Sequence, residues 1–346
     1  MVSTQPRRQP NVFESLPFLT SFSYHAEIFI IKASIMKTIL SLTVVLAILV
    51  SLYMAFLAPK PTPVTPQTAA VDVAEPRLML IRSDDFGMSH GKNMATRELI
   101  ETGMPVSVSV MFACPWWKEA VEILKEHPDV SVGVHLTLNA EWKHYRWGPV
   151  LGRATVPSLV DDEGYFFPSR SALFGNNPEL SEIEAELRAQ VQRAVDTGLQ
   201  IDYLDYHMGA AVQTPETRII VEQIAEDFGL GISRWFGEDD SSVTYSAPLG
   251  AKTDSLVNRV NNLNPDAVNL QVVHVAPAQS DMNAMIDLNP SGPRDMAEQR
   301  HGELQALLSP EFREALKRNN VKLITYRDLI SSRGLESMQR PAIYGY

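Results

Sequence analysis

From Arg77 onward, short runs dense in Val, Ile and Leu alternate with longer stretches whose apolar positions recur every three or four residues. That rhythm predicts repeated β-α units around a parallel sheet. The strand-like runs are RLMLIRS (77–83), PVSVSVMF (105–112), VSVGVHLTL (130–138), IDYLDY (201–206), LGISRWF (230–236), AVNLQVVHV (267–275) and VKLITY (321–326). Helical periodicity covers 91–102, 116–126, 180–197, 215–228, 252–263 and 294–318, with a short stretch at 326–332. Residues 139–178 break the rhythm, carrying Trp142, Tyr145, Trp147, Phe166 and Phe167 among Gly and Pro. A long segment of this kind reads either as an ordered lid or groove wall, whose aromatic faces suit sugar rings, or as a loop packed on its own aromatics.

The N-terminal pattern differs. ILSLTVVLAILVSLYMAFLA, residues 39–58, carries no charge, and about twenty helical residues span a bilayer core of roughly 30 Å. Arg7, Arg8, Lys32 and Lys37 precede it and Lys60 alone closely follows, a bias that places the N-terminus in the cytoplasm and the remainder outside. An uncleaved anchor is the favoured reading. The rival is a cleaved signal peptide starting at Met36, which would make the domain secreted or periplasmic. The expected organisation is an extension over 1–38, with Met36 as an alternative start, the membrane segment over 39–58, a Pro/Thr-rich tether over 59–76 and a catalytic domain over 77–335.

Composition narrows the partners. A net charge of −11 without a basic stripe argues against nucleic acid. Cys114 is the only cysteine, so no disulfide forms within the chain, no Cys-rich metal site is available, and a small buried residue is expected there.

Polar groups then fall at the ends of separate strands: Asp84 and Asp85 after the first, His135 near the end of the third, His207 after the fourth and His274 at the end of the sixth. Catalytic groups collected from several strand ends fit a (β/α) barrel of about seven units better than an open sheet with one switch point. Asp85, His135 and His207 make a two-histidine, one-carboxylate set suited to Zn²⁺ or another divalent ion, Mg²⁺ included. Asp84 beside it could accept a proton from water, and His274 could protonate a leaving group. Taken singly, a His in an apolar strand is more often a hydrogen-bonded core residue than a ligand. Neighbouring strand residues point to opposite faces, so Asp84 and Asp85 are expected to divide their work.

The segments IRSDDFGMSHGKN, TGMPVSVSVMFACPWWKEA, VGVHLTLN, IDYLDYHMG, VVHVAP and RHGELQALLSPEFREAL with VKLITYRDL occur in one order. In this the chain resembles the YdjC-like (ChbG-type) carbohydrate deacetylases, relatives of the polysaccharide deacetylases. The resemblance implies a distorted (β/α) barrel and a metal-dependent hydrolase that removes acetyl groups from N-acetylated sugars or oligosaccharides. It implies Asp84 as general base, Asp85, His135 and His207 as metal ligands and His274 as general acid. Where many members carry an H-x-D-x-H-x-H run, this chain has Tyr203, Asp205, His207 and Gly209, and where they have His-Pro-Gly it has His274-Val275-Ala276-Pro277. Two other readings stay open: a membrane-tethered glycan-binding module without catalysis, and a metal-dependent hydrolase of another ester or amide. A homo-oligomer is compatible with all three.

Overall fold

The computed structural model describes residues 25–57 and 75–342, except 279 and 291, and divides the chain into two compact units, Met1–Asp72 and Val73–Tyr346. In the first unit, helix α1 (His25–Leu57) contains Ser34–Met54, long and apolar enough to cross a membrane by length and composition. Nearly all of the expected tether and the first part of the N-terminal extension lie outside the described residues.

The second unit holds strands β1 (Arg77–Phe86), β2 (Ser107–Val110), β3 (Ser131–Leu136), β4 (Tyr203–Tyr206), β5 (Gly231–Ile232), β6 (Asp239–Ser241), β7 (Asn269–Val273) and β8 (Val321–Ile324). Its helices are α2 (His90–Glu101), α3 (Trp117–Glu126), α4 (Arg170–Gly175), α5 (Leu180–Val195), α6 (Pro215–Phe228), α7 (Val243–Ser246), α8 (Lys252–Asn261), α9 (Met296–Leu308), α10 (Pro310–Arg318) and α11 (Tyr326–Arg333). All strand pairs are parallel, in the order β5-β4-β3-β2-β1-β7-β6, with β8 pairing the first half of β1 and β2 the second. The sheet curls into the distorted, half-closed (β/α) barrel that the rhythm predicts. The apolar run 294–318 is two helices because Ser309 caps α10 and Pro310 at its first turn cannot continue α9. Strand β6 escaped the sequence reading, since Asp239-Asp240-Ser241 has no apolar signature.

Alternation along β1 separates two cores. Met79 and Ile81 join the large cluster that includes helix residues such as Leu99, Leu124 and Leu187, while Leu80 joins a smaller one with Tyr203, Leu270, Val272 and Tyr326. Residues two apart share a face, so Arg82 and Asp84 follow Leu80 to the smaller-core side, the barrel interior. Gly133 on β3 is paired with Tyr203 on β4. A Cβ at Gly133 would collide with the Tyr203 ring, which stacks on Tyr326 with centroids 4.2 Å apart. The glycine is therefore the space that this aromatic pair occupies.

Within 139–178, Trp142, Trp147 and Phe166 are buried. Lys143 N–H donates to the Ile286 carbonyl and Leu288 N–H to the Glu141 carbonyl, both at 2.8 Å, which stitches this segment to the loop after β7. The segment packs on its own aromatics and also presents Trp142 as a wall of the cavity described next.

Candidate active site

A cavity of about 380 Å³ opens at the C-terminal ends of the strands and is lined by Asp84, Asp85, His135, His207 and His274, the residues singled out from the sequence. Strand pleating explains four of them. Asp84 lies two residues beyond Arg82 on the interior face, and His274 two beyond Val272. His135 on β3 is paired in register with Asp205 on β4, and His207 follows Asp205 by two. Asp85 would point the other way in a regular strand. Its backbone is left-handed, φ 65°, where the β1–β2 register shifts between Ser83 and Phe86. Asp tolerates that conformation better than most residues, and the turn brings its carboxylate back into the cavity beside Asp84.

Asp85, His135 and His207 each offer one ligand atom within 4.8 Å of the others. Asp85 Oδ1 lies 3.4 Å from His135 Nε2 and 3.2 Å from His207 Nδ1. Neither Asp85 oxygen makes a hydrogen bond. Donors that stand close without aiming at one another converge on a shared point, and these spacings are close to the roughly 3.3 Å edge of a tetrahedron with metal–ligand bonds of about 2.0–2.1 Å. The far nitrogens of the rings are held by carboxylates, His135 Nδ1 by Asp205 Oδ2 at 2.9 Å and His207 Nε2 by Glu141 Oε2 at 3.0 Å. Metal-binding histidines commonly carry this second support, which fixes the ring and the free lone pair.

Charge supports the same reading. Lining the cavity or buried around the cluster are the carboxylates of Asp84, Asp85, Glu141, Asp205, Asp287 and Glu303 against Arg82, Lys92, Arg234 and Arg300, so a formal excess of two negative charges remains. Burial disfavours protonated imidazole, yet Asp205 and Asp84 push His135 up to about 9, and Glu141 with Asp85 push His207 up to about 10. The two rings thus take up two protons, the charge that one divalent ion would supply on displacing them. The residues present fit such an ion.

Asp84 is tied differently. Burial would raise its carboxyl, but the Arg82 guanidinium holds it well below the ordinary range and ionised. Arg300 Nη1 lies 2.8 Å from Asp85 Oδ2, and Arg300, with His135 and His207, keeps Asp85 ionised against its burial. Burial pushes His274 down to about 3, so its imidazole is neutral. Its backbone N–H donates to Glu303 Oε2 at 2.9 Å, while Nδ1 has no hydrogen bond. Lys92, fully buried with Nζ 3.3 Å from Ser83 Oγ, is pulled down to about 7 by burial.

Reasoning on the sequence missed Arg82, Glu141, Asp205, Arg300 and Glu303. Asp205 and Arg82 carried a readable signal, Arg82 two residues before Asp84 in β1 and Asp205 two before His207, which follows β4. Arg300 and Glu303 share one side of α9 by their spacing of three. Glu141 carried none, because its segment has no period. His90 stays outside the cluster: it is exposed and its Nδ1 sits 2.8 Å from Glu119 Oε1.

The sequence model of the YdjC-like protein family matches residues 78–318. Curated relatives named carbohydrate deacetylase include one from Brevibacillus brevis, 29% identical over 260 residues that cover 72% of this chain and 99% of the relative. Another, from Geobacillus stearothermophilus, is 28% identical, covering 73% and 98%. A solved structure from Enterococcus faecalis V583, provisionally named a cellobiose-phosphate cleavage protein, superposes with a TM-score of 0.61 at 22% identity, covering 74% of this chain and 99% of that one, a likeness of fold. The match spans all the strand-end residues of the cavity, and the chain belongs to the YdjC-like protein family.

Proposed function

We propose that this protein is a metal-dependent carbohydrate deacetylase, a hydrolase that cleaves the amide of an N-acetylated sugar to acetate and amine. The observation that carries the proposal is the meeting of Asp85, His135 and His207 in one cavity that Asp84 and His274 also line. The carbohydrate deacetylases to which the chain is similar along nearly their whole length support the choice of substrate. Asp85, His135 and His207 would hold the divalent ion, Zn²⁺ or Mg²⁺, which when bound supplies a Lewis acid that makes water more acidic and offsets charge growing on the acyl oxygen.

The chain's own residues carry the protons. Asp84, ionised by Arg82, takes a proton from the water that attacks the carbonyl carbon. Asp205 and Glu141 keep the two imidazoles oriented. As the carbon–nitrogen bond breaks, His274 delivers a proton to the departing nitrogen. An imidazole held near 3 is neutral at rest, so the proton that His274 delivers would be the one released by the attacking water through Asp84, which leaves both side chains as they began. Trp142 and Tyr245 supply apolar faces for the sugar ring. The apolar helix suits an anchor that holds this domain outside the cytoplasm, or a signal segment.

The test is acetate release from N-acetylglucosamine and its β-1,4-linked oligomers by the full chain, before and after chelation and on adding back Zn²⁺ or Mg²⁺. Metal-dependent release is expected. Sugar binding without acetate release would overturn the enzyme reading in favour of a glycan-binding module.

A further inference from the structure

Helix α7 is only four residues long, Val243–Ser246. One turn forms too few hydrogen bonds to hold itself, and its flanks give it little cover, since Ser242, Ser246 and Pro248 to Gly250 are exposed. Yet this turn carries Tyr245, which lines the cavity with its ring 5.2 Å from the His274 imidazole, centroid to centroid. The seat of Tyr245 has to come from outside the turn.

Lys252, 2% exposed, supplies it from beneath. Its Nζ donates to the carbonyls of Thr244 at 2.6 Å, Ala247 at 3.2 Å and Tyr245 at 3.4 Å. Carbonyls at a helix end lack partners within the helix, and a lysine ammonium can satisfy them. Gly302 on α9 leaves room for the lysine stem, because a Cβ there would lie 2.7 Å from Lys252 Cδ. A second tie runs through Thr244. Its hydroxyl donates to Glu303 Oε1 at 2.7 Å, on the carboxylate whose Oε2 accepts the His274 N–H. Burying an ammonium is unfavourable unless it is well bonded, and the bonds of this one go to a single short segment. We propose that Lys252 is a positioning residue for the reaction: it holds α7 so that Tyr245 stands against His274 and presents its ring to the sugar. The inference rests on the deacetylase reading and adds what shapes that wall of its cavity.

The experiment measures KM and kcat for acetate release from N-acetylglucosamine oligomers by the full chain, as wild type, Lys252→Met, Tyr245→Ala and the double variant. Lys252→Met keeps the stem and removes the ammonium. Its KM should rise about tenfold with kcat little changed, the signature of a lost sugar contact. General weakening of the fold would instead deplete active enzyme and lower kcat at constant KM. Tyr245→Ala should raise KM by the same factor, and Lys252→Met/Tyr245→Ala by no more. An unchanged KM in Lys252→Met, or a further rise in the double variant, would overturn the proposal. If Lys252→Met does not fold, Thr244→Val cuts the second tie to α7 and carries the same expectations, and an unchanged KM there overturns the proposal equally. Nuclear magnetic resonance of the full chain with isotope-labelled histidine reads the seating without turnover. The His274 imidazole resonances, assigned by their loss in His274→Ala, should shift in Tyr245→Ala as the ring current is removed, and shift equally in Lys252→Met. Silence on every acetylated sugar would therefore count against the deacetylase reading, whereas His274 resonances left in place by Lys252→Met would count against Lys252.

Discussion

Arg82 grips Asp84 with two parallel hydrogen bonds, Nε to Oδ1 at 2.6 Å and Nη2 to Oδ2 at 2.7 Å, where neither residue is more than a few per cent exposed. Arg82 Nε also lies 3.1 Å from Asp205 Oδ2, so one guanidinium steadies both the proposed base and the carboxylate that orients His135. Removing it should leave two buried carboxylates without their counter-charge. Arg82→Met is expected to lose about 3–5 kcal/mol of stability, and Arg82→Met/Asp84→Asn less than the sum of its parts. Urea unfolding of the four proteins measures this, and simple additivity would refute the pairing as an energetic unit.

Asp84→Asn keeps shape and removes the proton acceptor. Turnover should fall by about 10²–10⁴-fold while metal content stays at the wild-type level, checked by steady-state rates and elemental analysis on the same preparation. Wild-type rates would take the base role away from Asp84.

His207→Ala removes the proposed ligand nitrogen, Nδ1, 3.2 Å from Asp85 Oδ1. The metal-to-protein ratio should drop sharply after dialysis, and an unchanged ratio would exclude His207 as a ligand. In the wild type, an ion bound there would have to displace protons from His135 and His207, held up at about 9 and about 10. Metal affinity is therefore expected to rise with pH between 6 and 9. Titrations in two buffers of different ionisation enthalpy should reveal the released protons.

The metal-free protein should show the opposite slope in stability. Both folded-state values lie above the ordinary histidine value of about 6.5, so the folded state binds more protons than the unfolded one between them. That contribution is complete below about pH 6.5 and is lost as pH rises through about 9 and 10. The melting temperature of chelated protein should fall from pH 7 to pH 9.5, where a flat or rising profile would contradict the charge balance.

Gly133→Ala would place a methyl group into the Tyr203 ring. A loss of about 1–3 kcal/mol is expected, and Gly133→Ala/Tyr203→Leu should recover part of it. Thermal melts of both variants decide.

Much of this site was legible because strand ends are readable. Val- and Ile-rich runs stop where a sheet meets solvent, and a charged or imidazole side chain at such a stop stands out against its apolar neighbours; Asp84, Asp85, His135, His207 and His274 were all visible in this way. Arg82 was harder to see. Within a strand it resembles a surface cation, and only closure of the sheet turns that face inward and leaves Asp84 and Asp205 as its partners. Glu141 lies 66 residues before His207 and Glu303 lies 29 after His274, so their meeting with those histidines depended on long-range packing.

The two adjacent acids mark the boundary most clearly. Local pattern alone determined that a buried strand ends in Asp84-Asp85 and that β-α units with chemistry at their strand ends form a barrel. Simple alternation would have sent the two carboxylates to opposite faces. The tertiary structure decided otherwise: the left-handed turn at Asp85 is held by pairing with β2 and by ion pairs to His135, His207 and Arg300. Those contacts lie up to hundreds of residues away along the chain, beyond the reach of any local periodicity.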